Sequence, residues 1–237
     1  MKSSRILIVN PNTSERCSAS IRAAALGHVG AGVSIEVLTA ADGPPYVETL
    51  RDEVMAASAV MRLLEESAEA AVDDFDAFII ACSSDPGLEA ARDTFGIPVL
   101  GIGESALLLA RGTGRPYGIL TNVEGDRSYM WAMARRHGLD GQLVAVEASG
   151  YTVEDFDVGR EGAQDGLLEA GRRAVEAGAR SLCLGCAAMG GLDRDLAGVL
   201  QVPVFEGVAS AARLVTTYLV LRPSVPAVHD AGTADAV

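Results

Sequence analysis

The chain has 237 residues, of which 49% are hydrophobic, 22% charged and 5% aromatic, enough for one large domain or two small ones. Its 32 acidic residues against 19 basic ones give a formal charge of −13, a surface that repels nucleic acid and anionic membrane. No apolar run reaches the roughly 18 residues of a membrane span, and the chain enters the strand-like RILIVN almost at once, with no signal-peptide pattern. The expectation is a cytoplasmic protein with a small-molecule partner.

Residues 5–10 read as a buried parallel strand that runs through Pro-Asn-Thr-Ser into a helix over about 14–28. VSIEVLT (33–39) is a second strand, and a Gly/Pro loop leads to a helix over about 50–72. DAFIIAC (76–82) is a third strand. Asp85 is the expected N-cap and Pro86 the first residue of a helix that ends at Thr94. GIPVLGIG is a fourth strand and ESALLLAR a helix.

The order then repeats. Strands are expected over 115–122, 142–149 and 180–186 and at VPVFEG, with helices over 125–137 and 161–177, after AAMGG, and at VASAARLVTTYLV. Strand alternating with helix predicts an α/β chain with parallel sheets. DAFIIACSSDPGL lies over ARSLCLGCAAMGGL with Cys82 on Cys186, and RILIVNPNTSE over PYGILTNVEGD with Asn10 near Asn122. This predicts two similar open parallel-sheet halves, each with a polar turn after its first strand and a Cys at the end of its third. The expected boundaries are 1–102 plus 208–222 for the first domain and 103–207 for the second, with 223–237 a loose tail.

Ligands of open parallel sheets gather beyond the carboxyl ends of the strands. Cys82 and Cys186 both fall there, where a strand gives way to a helix, a setting that favours thiolate and supplies backbone donors for an oxyanion. Two thiols flanking one cleft can take a proton from one face of a carbon and return it to the other. A cysteine at a strand end is more often a small buried hydrophobe; two at equivalent places in a repeat shift the balance toward chemistry. Cys17, in the first helix, reads as packing. Cys183 and Cys186 have a C-L-G-C spacing, but Cys183 lies inside the strand rather than at a helix start, against a redox pair.

The lone lysine, Lys2, is badly placed for a pyridoxal Schiff base or a phosphate loop, and three histidines offer little for a metal site or a Ser-His-Asp triad. GIGE (101–104) lacks the third glycine of a dinucleotide fingerprint. No cofactor and no metal are expected.

NPNTS (10–14), ACSSDPGL (81–88) and LGCAAMGGL (184–192) followed by VPVFEGV resemble the hydantoin and allantoin racemases of the aspartate/glutamate racemase superfamily, over about residues 5–220. The resemblance implies two pseudo-symmetric open parallel-sheet α/β domains with the active site in the cleft between them, no cofactor, catalytic Cys82 and Cys186, and a homo-oligomer. Asn12, Thr13 and Asn122 would contact substrate, and the amides of Ser83, Ser84, Ala187 and Ala188 would hold its carbonyl oxygens. The implied activity is racemisation of a 5-substituted hydantoin or of allantoin. A maleate isomerase-like isomerase or lyase, an amino-acid racemase and a non-enzymatic binding module stay open. Amino-acid racemases of the superfamily resemble Cys-Asn-Thr and Cys-Thr-His at these positions, whereas here Ser-Ser and Ala-Ala follow, which fits a neutral ring held by amides. Two departures from the hydantoin racemase pattern, the small Ser83 and the Tyr-Met after Arg127-Ser128, imply a wider or more polar pocket.

Overall fold

A computed structural model describes residues 4–70 and 75–221; the expected tail, 223–237, lies outside the described residues. The first half holds β1 (Ser4–Asn10), α1 (Glu15–Leu26), β2 (Val33–Thr39), α2 (Leu50–Ala70), β3 (Ala77–Ile80), α3 (Leu88–Thr94), β4 (Val99–Gly101) and α4 (Ile102–Gly112). The second holds β5 (Tyr117–Thr121), α5 (Asp126–Arg136), β6 (Leu143–Ala148), α6 (Val153–Asp157), α7 (Ala163–Glu176), β7 (Leu182–Leu184), α8 (Asp193–Leu200), β8 (Val204–Phe205) and α9 (Gly207–Leu221). All pairings are parallel. The sheets run β2-β1-β3-β4 and β6-β5-β7-β8, the same order twice. The expected doubled α/β architecture is the observed one.

The central strands are apolar runs because both their faces are covered. Ile6 and Ile8 pack with Ile21 of α1 and Val208 and Val215 of α9, while Leu7 and Val9 meet Val60 and Leu64 of α2 and Leu88 of α3. In the second sheet Ile119 faces Met130 and Met133 of α5 and Leu107 of α4, and Leu120 faces Leu167, Ala170 and Ala174 of α7. Helices α4 and α9 lie against each other, close enough that a Cβ on Gly207 would sit 3.0 Å from the Ile102 carbonyl oxygen. Among the described residues no helix is long and apolar enough to cross a membrane.

The strands end one to three residues short of several expected limits, and the five-residue α6, with its Thr152/Asp155 capping box, has no counterpart in the sequence reading. One correction matters for the site. Asp85 is not the N-cap of α3; that place belongs to Gly87, with φ 77°. Asp85 sits in the left-handed region at φ 53°, which a short polar side chain tolerates. Its carboxylate accepts from the backbone N–H groups of Gly103 (2.9 Å) and Glu104 (2.7 Å) in the first turn of α4. It satisfies orphan donors of a helix eighteen residues downstream, where the dipole favours negative charge.

The GIGE segment acquires its meaning here. A Cβ on Gly101 would lie 2.1 Å from Asp85 Oδ1, and one on Gly103 would lie 2.1 Å from the Ser83 carbonyl oxygen. The two glycines let the Cys82 loop lie directly on the start of α4. Gly103→Ala forces that backbone contact apart, at about 1–3 kcal/mol by the cost of overpacking, or several degrees in melting temperature. Differential scanning calorimetry checks this; an unchanged melting temperature contradicts the tight docking.

Candidate active site

The loops that follow β1, β3, β5 and β7 converge on one cavity of about 270 Å3. Asn12 comes from the first loop, Cys82, Ser83 and Ser84 from the second, Asn122 from the third, and Cys186, Ala187 and Ala188 from the fourth. Each cysteine stands two residues beyond the last residue of the third strand of its sheet, Ile80 or Leu184. The repeated strand order thus delivers two thiols to the same cavity from opposite halves.

The local geometry of the two cysteines matches. Cys82 Sγ lies 3.3 Å from Ser84 Oγ and takes a hydrogen bond from the Ser84 amide. Cys186 takes the equivalent bond from the Ala188 amide. The N–H groups of Ser84 and Ala188 therefore lie toward the sulfurs of their own loops. Among the described residues the amides of Ser83 and Ala187 have no protein acceptor. No α-helix begins directly at either thiol: α3 starts six residues after Cys82, and Cys186 opens only a 3₁₀ turn, Ala187–Met189.

Burial therefore outweighs the helix-terminus effect expected from the sequence. Desolvation pushes the Cys82 thiol up to about 11, against the pull of the Ser84 hydroxyl and amide, and the charges of Asp85 and Glu53 push the same way. Cys186, 8% exposed, is raised further by burial. Both groups are neutral thiols at pH 7 in the unliganded protein.

Other expected residues divide. Asn12 lines the cavity; its Oδ1 accepts from Asn10 Nδ2 and the Ser14 amide, both at 2.9 Å. Thr13 does not line it: its side chain is exposed and its amide donates to the Pro44 carbonyl at 3.1 Å. Asn122 and Ser83 line the cavity, both 4% exposed, and Asn122 Nδ2 and Ser83 Oγ find no hydrogen-bond partner among the described residues. Buried polar atoms left open in this way are costly unless a ligand completes them. Cys183 is away from the cavity, its thiol donating to the Ala106 carbonyl at 3.4 Å. Among the described residues no cluster of His, Cys, Asp and Glu suits a metal ion.

Cys17, read as packing, does pack at 2% exposure, yet it also lines the cavity. Burial raises its thiol to about 12, and a hydrogen bond from Asn12 opposes the rise. Its position on the first helix, one turn after the Ser14 cap, gave no sign of this. Glu48, Thr49 and Glu53 at the start of α2, and Tyr129 and Met130 on α5, are further lining residues that the motifs did not reveal. Tyr129 and Met130 are the Tyr-Met that departs from the family pattern. Arg127 next to them pairs instead with Glu124 (2.8 Å) and Glu147 (3.5 Å) outside the cavity.

Two clasps close the halves around the cavity. On one side Asp157 Oδ2 accepts from Ser14 Oγ (2.7 Å) and Tyr46 (3.2 Å), and Glu48 Oε1 from the Val153 amide (2.8 Å). On the other, Tyr129 donates to Glu53, and Arg136 donates to the Ser84 carbonyl at 3.0 Å. His137 Nε2 stands 3.5 Å from Asp85 Oδ2, both side chains buried. Burial pushes the Asp85 pKa up, against His137 and the two α4 amides.

Like α/β halves with a cavity between matching loops are the architecture of a two-lobed small-molecule enzyme. The model of the Asp/Glu/hydantoin racemase family matches residues 6–215, so the chain belongs to that family and stands among the racemases, a class of isomerase. It is 32% identical to a hydantoin racemase of Paenarthrobacter aurescens over 92% of each chain. The allantoin racemase structure from Klebsiella pneumoniae superposes with a TM-score of 0.86 at 31% identity, covering 92% of this chain and 89% of that one. The allantoin racemase of Pseudomonas fluorescens gives 0.85 at 29% identity, with 92% and 91% covered.

The raised thiols carry a consequence for stability. A cysteine with a folded pKa above its ordinary value of 9.0 keeps its proton in the folded state after the unfolded chain has lost it. Folding stability is therefore fully present below pH 9 and is lost as pH rises toward about 11 for Cys82. Denaturant midpoints measured across that window should fall, and fall less steeply in Cys82→Ala. Equal slopes for the two proteins contradict the assignment of the raised thiol.

Proposed function

We propose that this protein racemises a 5-substituted hydantoin or allantoin without a cofactor, with Cys82 and Cys186 as the paired base and acid. The observation that carries this reading is that two cysteines, at matching positions after the third strand of each half, line one cavity. The comparisons support a racemase; the two-thiol mechanism and the ring substrate are our inference.

In the productive state one cysteine is a thiolate and the other a thiol. The thiolate takes the proton from the ring carbon next to the carbonyl, and the electron pair of that C–H bond moves into the ring to form an enolate. The opposite thiol then gives its proton to the other face of the same carbon. The ring emerges inverted, the first sulfur as thiol and the second as thiolate, so the enzyme is poised for the reverse direction. The free amides of Ser83 and Ala187 and the open Nδ2 of Asn122 are the donors suited to the ring oxygens. A ring imide has a more acidic α-hydrogen than a free amino acid and needs less help from its surroundings. Among the described residues no Lys, Arg or His lines the cavity, which counts against amino-acid or maleate substrates, since each gains from a cationic partner for its carboxylate.

Cys82→Ser and Cys186→Ser should each lower racemisation by about a thousandfold or more, by the scale of losing an acid–base group. Polarimetry and solvent-deuterium uptake at the ring carbon measure this. Wild-type rates in either variant eliminate the two-thiol reading. Because Cys82 must shed a proton held up to about 11, kcat/KM should climb with pH through neutrality without a plateau before pH 9. A plateau near pH 7 would mean that another group is the base.

A further inference from the structure

The cavity has a charge that the proton-transfer reading does not use. Glu48, Glu53 and Asp126 line it, and among the described residues no basic side chain does. Asp126, at the start of α5, accepts from the Val123 amide at 3.1 Å and from Thr121 Oγ1 at 3.2 Å, both through Oδ2. Glu48 accepts the Val153 amide through Oε1, and Glu53 accepts the Tyr129 hydroxyl through Oε1. Neither glutamate makes an ion pair among the described residues, and each keeps Oε2 open. Arg136 belongs to the clasp: its guanidinium donates to the Ser84 carbonyl and does not line the cavity.

Acidic residues at a helix start ordinarily do no more than complement the dipole. Two further observations point to a ligand here. The same cavity contains Asn122 and Ser83, more than nine-tenths buried, each with an unpartnered polar atom. The Glu53 carboxylate is also held by a tyrosine from the opposite half, which fixes its direction across the closed cleft. Tyr129 is half-buried, and its hydroxyl, which donates to Glu53, also lies 3.4 Å from the Ser84 carbonyl oxygen, so the first half holds it from two sides and it in turn positions the Glu53 carboxylate.

We propose that Glu53, oriented by Tyr129 and assisted by Glu48, determines which ring substituent the enzyme accepts. It selects substituents that present N–H donors, a urea or an ammonium or guanidinium group, and rejects those that carry a carboxylate. This rests on the hydantoin reading of the site and names its substrate class. The amides and the Asn122 side chain suit the ring, and the carboxylates at the α2 side of the cavity suit the group on the ring carbon. A donor-bearing substituent completes the open Oε2 positions. A carboxylate placed there meets like charge with no cation to offset it.

The test is solvent-deuterium exchange at the ring carbon for four hydantoins, carrying ureido, aminobutyl, isobutyl and carboxymethyl groups. The two donor-bearing rings should exceed the isobutyl ring by about tenfold or more in kcat/KM, and the carboxymethyl ring by about a hundredfold, with KM carrying most of the difference. Glu53→Gln should shrink the aminobutyl-to-carboxymethyl ratio by about tenfold and the ureido-to-isobutyl ratio less, since the amide keeps an acceptor but loses the charge. Ratios within one protein are unaffected by partial misfolding of the variant. Tyr129→Phe should reduce the same ratios by freeing the Glu53 carboxylate. Preference for the isobutyl or carboxymethyl ring, or ratios unmoved by Glu53→Gln, overturns the assignment while leaving racemisation in place. Exchange with none of the four removes the hydantoin reading and this inference with it.

Discussion

The site depends on the attachment of the Cys82 loop to the start of α4. Asp85 reaches past its own helix to two backbone amides there, and Gly101 and Gly103 clear the space it needs. The loop has no regular structure of its own between Ile80 and Leu88, so its shape comes from this contact and from the Asp85 amide closing back on the Cys82 carbonyl at 2.9 Å. The same carboxylate faces His137 at the end of α5. One buried acid therefore links the first thiol, the helix that crosses to the second half, and the second half itself. A charge removed from water needs such partners to be tolerated, and Asp85 has two backbone amides as donors with His137 3.5 Å away.

The second thiol is held differently, although the strand order that brings it in is the same. Cys186 opens a 3₁₀ turn in which the Met189 amide returns to its carbonyl at 3.2 Å. Gly185 just before it passes so close to β5 that a Cβ would lie 2.8 Å from the Leu120 carbonyl oxygen. The two loops agree in the feature that touches sulfur, the amide two residues on, and differ in what stabilises them. The pseudo-symmetry is therefore strict where the proposed chemistry is near-symmetric, and relaxed where each half packs against different neighbours.

Much of this was legible in the sequence because it depends on local pattern. Short apolar runs ending in polar turns mark parallel strands buried on both faces, and their repetition marks the doubled unit. Cys82 and Cys186 stood out because they recur at one place in that repeat. What stayed hidden depends on contacts between distant segments. Asp85 next to Pro86 has the pattern of a local helix cap; nothing nearby says that its partner is Gly103. Thr13 looked equivalent to Asn12, but the chain turns between them, sending one side chain inward and leaving the other in solvent. Cys17 has the spacing of a core residue and is one, so its second face, on the cavity, left no trace. Glu48 and Glu53 look like ordinary acids at a helix start until Val153 and Tyr129 arrive from the other half.

The largest divergence from sequence expectation is electrostatic, and it bears on how such a site can work. Thiols placed near helix starts suggest ready thiolates, yet here burial dominates and acidic neighbours add to it. A resting enzyme with neutral thiols resists oxidation and alkylation, because the thiolate is the reactive species. On the mechanism proposed above, the deprotonated state then has to be reached with substrate present. A ring that fills the cavity brings its own N–H and carbonyl dipoles, and a donor-bearing substituent beside Glu53 offsets a charge that raises Cys82. The acidic wall would then serve two ends by one means: without the right substituent it holds the thiol protonated, and with it the thiol moves toward the range where proton exchange with carbon is fast.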